Sequence, residues 1–83
     1  MNLEANLEKH TLLFEQARLA LQNYDVTEAE RLLQQSLEIH PTFMPAYRLL
    51  ECILDAQQRT DEAVLIHSHA QWMQLAVRLL EDS

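Results

Sequence analysis

The 83-residue chain contains no glycine, one cysteine, two prolines and a single tryptophan. Without glycine there can be no Gly-rich phosphate-binding loop. One cysteine, Cys52, excludes an internal disulfide and a Cys-rich zinc site. Positive charge is also scarce: six Lys and Arg stand against 13 Asp and Glu, for a formal charge of -7. That balance leaves no basic patch for nucleic-acid phosphates and none for anionic membranes. No run approaches the roughly 20 apolar residues of a membrane span. Residues 1–10 carry Glu4, Glu8 and Lys9 with no basic cap and no apolar core, so they do not read as a targeting signal. Together these absences predict a protein of a reducing compartment, most simply the cytoplasm.

Hydrophobic residues make up 48% of the chain, enough for one small core and one domain, residues 1–83. Their spacing is helical. Leu3, Leu7, His10, Phe14, Ala17, Leu21 and Tyr24 recur at alternating steps of four and three, with Leu13 and Ala20 beside them. They predict a first helix over about 3–23. Asn23 to Val26 reads as a short connection. Thr27 followed by Glu30 is a capping-box pattern opening a second helix. Its inner face is Ala29, Leu32, Leu33, Ser36, Leu37 and Ile39, and His40 and Pro41 close it. Pro45 suits the first turn of a third helix, whose apolar face is Ala46, Tyr47, Leu49, Leu50, Ile53 and Leu54. Thr60 or Asp61 is the expected cap of a fourth. There Ala63, Ile66, Ala70, Met73, Val77 and Leu80 keep one stripe to the end. No strand-like alternation is present. The expected class is all-α, with four helices in antiparallel hairpins.

The chain also matches itself weakly at an offset of 34 residues. Thr27-Glu28-Ala29 falls on Asp61-Glu62-Ala63, Ser36 on Ala70, Leu13 on Tyr47, Leu19 on Ile53 and Ala20 on Leu54. Small residues at Ala29, Ser36, Ala63 and Ala70 let two helices approach closely, with Leu33 and Tyr47 filling the spaces beside them.

The run Ala29, Leu33, Ser36, Pro41, the helix opening Pro45-Ala46-Tyr47-Arg48-Leu49-Leu50 and the turn Arg59-Thr60-Asp61-Glu62-Ala63 resemble the tetratricopeptide repeat over residues 10–70. The resemblance implies two units, about 10–43 and 44–77, stacked as a short right-handed superhelix with extended terminal helices. Ala17 fits the family's small position in the first helix, whereas Glu51 departs from it. The turn glycine is missing from both units, His67 stands where a large apolar residue is usual, and Leu75 where proline ends a unit.

In such repeats the first helix of each unit lines a concave face, which here implies Phe14, Arg18, Leu21 and Gln22 with Arg48, Cys52 and Asp55. An apolar floor and two arginines suit a partner peptide or helix. The last helix carries Trp72, Met73, Leu75, Leu79 and Leu80 on more than one stripe, which two units have few neighbours to cover. No catalytic, metal or cofactor site is expected. His67 and His69 point apart on a helix, His10, His40 and Cys52 show no pairing, and a lone helical cysteine is usually a small buried hydrophobe. The expected function is a non-enzymatic adaptor or chaperone for a segment of a partner protein, similar in size and acidity to type III secretion chaperones. The alternative is a self-assembly module that forms a homodimer through the apolar C-terminal helix.

Overall fold

A computed structural model describes residues 3–82 of the chain, with side chains for residues 8–81. The expected positions Leu3 and Leu7 therefore lie outside the described side chains, and Met1 outside the described residues. Four α-helices, and among the described residues no strand, follow one another as α1 (Leu3–Gln22), α2 (Val26–Ile39), α3 (Met44–Ala56) and α4 (Thr60–Asp82). The all-α class is thus shown. Helix α1 packs on α2 and α3 on α4. The chain divides into two compact units, Met1–Pro41 and Thr42–Ser83, each a helical hairpin.

In unit 1, Ala17, Ala29, Leu32, Leu33 and Ser36 are buried, while His10, Leu13, Phe14, Ala20, Leu21 and Leu37 are half-buried. Two positions expected inside are not there. Tyr24 is 92% exposed, because it has left the helix and taken a left-handed conformation, φ 60°. Ile39 is 42% exposed, at the end of α2 and two residues before Pro41, off the Ala29–Leu33–Ser36 stripe. The buried Ser36 hydroxyl donates to the His10 carbonyl oxygen at 2.8 Å and ties the two helices together.

The start of α2 also differs from the sequence expectation. Asp25, not Thr27, is the N-cap, its carboxylate accepting from the Glu28 backbone N–H at 3.2 Å. The four-residue pattern of an acceptor followed by an acid occurs twice in a row here, at 25–28 and 27–30. The earlier one prevails because Asp25 follows directly on the left-handed Tyr24.

In unit 2 the core is Ala46, Tyr47, Leu50, Ile53, Leu54 and Ala63, with Leu49, Ile66, Ala70, Met73 and Val77 half-buried. Met44 opens α3 with Pro45 in its first turn, where the missing donor is not needed. Neither Thr60 nor Asp61 is the residue before α4. Thr60 is already helical and Asp61 lies in the first turn, so Arg59 holds the entry position, its carbonyl accepting from the Ala63 N–H at 3.0 Å. Leu80, expected on the inner stripe, is 77% exposed. Helix α4 has 23 residues against 13 in α3, so at 1.5 Å per residue it outruns its hairpin partner by about 15 Å.

The two turns are built alike, at the 34-residue offset seen in the sequence. In unit 1 the Asp25 N–H donates to the Ala20 carbonyl at 2.8 Å and the Tyr24 N–H to Leu21 at 3.0 Å. In unit 2 the Arg59 N–H donates to Leu54 at 2.8 Å and the Gln58 N–H to Asp55 at 3.0 Å. These are helix-ending turns closed around one left-handed residue. Tyr24 and Gln58 (φ 62°) occupy the position that glycine usually fills, at a conformational cost of about 1 kcal/mol each.

Candidate interaction surface

The residues expected to line a concave face fall into two sets, one in each unit. On α1, Phe14 and Leu21 are half-buried and Arg18 is exposed. Arg18 is held along its own helix by the Glu15 carboxylate at 3.3 Å. On α3, Arg48, Cys52 and Asp55 are all exposed. Their spacing of four and three residues puts them in one line along the helix. Cys52 is therefore not the buried small hydrophobe that a lone helical cysteine suggests, because it lies off the Ala46–Leu50–Ile53–Leu54 face that packs inward.

Among the described residues the largest apolar exposure is on α4. Leu65 is 69% exposed, Trp72 67%, Leu75 44% and Leu79 62%. These residues step by seven, three and four, so they form one straight seam on the side of α4 away from the Ala63–Ile66–Ala70–Met73–Val77 stripe. Ser68 fills the remaining place on that seam. Helix α4 is thus apolar on two faces, and only one of them is turned inward. Its charge is as unusual as its hydrophobicity. Between Ala63 and Leu80 there is no acidic residue and one charged side chain, Arg78. The other three helices each carry acids on their surfaces, among them Glu15, Glu38 and Asp55.

The histidines are brought into contacts that the sequence did not reveal. His10 and His40 stack with ring centroids 4.4 Å apart and planes tilted by 35°. The two residues are equidistant in sequence from Asp25 at the turn, so hairpin register is the signal that finds this pair. His67 Nδ1 lies 3.2 Å from the Glu51 carboxylate on α3, and its Nε2 lies 3.1 Å from Gln71. His69 meets the edge of the Tyr47 ring at 5.7 Å, and burial pushes the Tyr47 phenol above its ordinary range. Two neighbouring histidines are thus committed to two different partners. Among the described residues no three His, Cys, Asp or Glu side chains converge on one point.

Surface electrostatics are local. Arg31 donates to Glu28 and Arg59 to Glu62, both three residues apart on a helix start. The hydrogen bonds from these guanidiniums hold both carboxyls below the usual carboxylate range, and the Glu28 contact raises Arg31 in turn. No family model, characterised protein or solved structure matches the chain. Among the described residues no helix is long and apolar enough to cross a membrane.

Proposed function

We propose that the chain is a non-enzymatic protein–protein interaction module, a small cytoplasmic adaptor or chaperone that holds a helical or extended segment of another protein. The observation that carries this reading is the outer seam of α4. Leu65, Trp72, Leu75 and Leu79 present apolar side chains to solvent along one face of α4, with Ser68 between the first two, in an acidic chain. A face of this kind on a formed helix costs free energy while wet and gains it when a partner's apolar side chains displace the water. A large aromatic anchor such as Trp72 is the residue type on which binding energy concentrates. Acids on the other helices keep the free protein soluble.

The 34-residue recurrence of the turn hydrogen bonds supports the tetratricopeptide-like reading of the two hairpins, and with it a use in protein binding. Arg48, Cys52 and Asp55 on α3 and Phe14, Arg18 and Leu21 on α1 are secondary contact candidates, the arginines setting orientation against acidic groups. Small size and acidity are features shared with type III secretion chaperones, and such a role is the narrowest form of the proposal.

The test is a photo-cross-linking amino acid placed at Trp72, with Glu38 on α2 as control, in the cell of origin. The expected result is one discrete protein adduct at Trp72, absent at Glu38 and lost on Leu79→Glu. Adducts that do not depend on position or on Leu79 would remove the α4 seam as the binding face.

A further inference from the structure

We draw no further inference here: the strongest candidate, the outer seam of α4 with Leu65, Trp72, Leu75 and Leu79, is an unpartnered apolar face, and nothing in the structure shows what covers it.

Discussion

Eight residues on either side of the turn, the two hairpins carry opposite chemistry. Unit 1 has Ala17 and Leu33 there, both 0% exposed. Unit 2 has Glu51 and His67 at the same places, joined at 3.2 Å with side chains 32% and 55% exposed. Yet the turns between them share every backbone hydrogen bond described above. The difference teaches that the turn is set by chain geometry and by one left-handed residue, whereas the helix faces are free to diverge. The entries to the second helices diverge as well. Asp25 caps α2 through its carboxylate, while Arg59 at the matching place grips the Glu62 side chain instead.

Exchanging residues between the units breaks this comparison most sharply. Leu33→His puts an imidazole where a fully buried leucine stood, and should cost about 3–5 kcal/mol. That is a large part of the total stability of a chain this size, roughly 4–12 kcal/mol. The reciprocal His67→Leu, at an exposed site, should stay within about 0.5 kcal/mol. Urea unfolding of both variants measures the contrast, and equal losses would mean that the two positions do not differ in burial.

The caps come next. Asp25→Ala removes the acceptor for the Glu28 N–H and should cost about 1 kcal/mol. Arg59→Ala, which removes side-chain bonds to Glu62 and Gln57 but no bond to a backbone N–H of α4, should cost a few tenths. Thermal unfolding resolves this, since about 1 kcal/mol shifts the midpoint by about 4–8 °C in a domain this small. Comparable shifts would show that α4 has a cap equivalent to Asp25.

The turns themselves should respond alike. Tyr24→Gly and Gln58→Gly each relieve a left-handed non-glycine residue, and each should stabilise by up to about 1 kcal/mol after the extra freedom glycine brings to the unfolded chain. A gain in one unit only would separate the two turns despite their shared hydrogen bonds.

Acid should give the smallest effect. Glu28 and Glu62 have folded-state pKa values lowered by their arginines. Their contribution is therefore present above the ordinary carboxylate range, near pH 4.3, and is lost as pH falls through the lowered values. Glu28→Gln and Glu62→Gln should each flatten the acid limb of a helicity titration slightly and equally. A variant whose acid limb matches the parent would rule out that ion pair as a contributor.

Much of the hairpin pattern was legible residue by residue. The inner stripes Ala29–Leu33–Ser36 and Ala46–Leu50–Ile53 stood out because burial on one side of a helix imposes a 3.6-residue period. The helix ends were less legible. Tyr24 continued the apolar stripe yet left the helix, and Asp25 rather than Thr27 became the cap, because a turn without glycine gives no local marker. On the candidate surface, Trp72 and Leu79 were identifiable as surplus apolar residues. The line of Arg48, Cys52 and Asp55 was expected exposed on family resemblance alone, and Cys52 by its own chemistry pointed inward.

Sequence by itself determined the helical class, the four helices to within a few residues and the 34-residue recurrence, since these depend on neighbours along the chain. Tertiary structure alone decided that Leu80 stayed outside the inner stripe of α4, and that His10 met His40 and Ser36 bonded to His10. The physical reason is that a helix needs only its own backbone and period, while burial and contact are decided by how far the partner helix reaches. Helix α3 stops after 13 residues where α4 runs for 23.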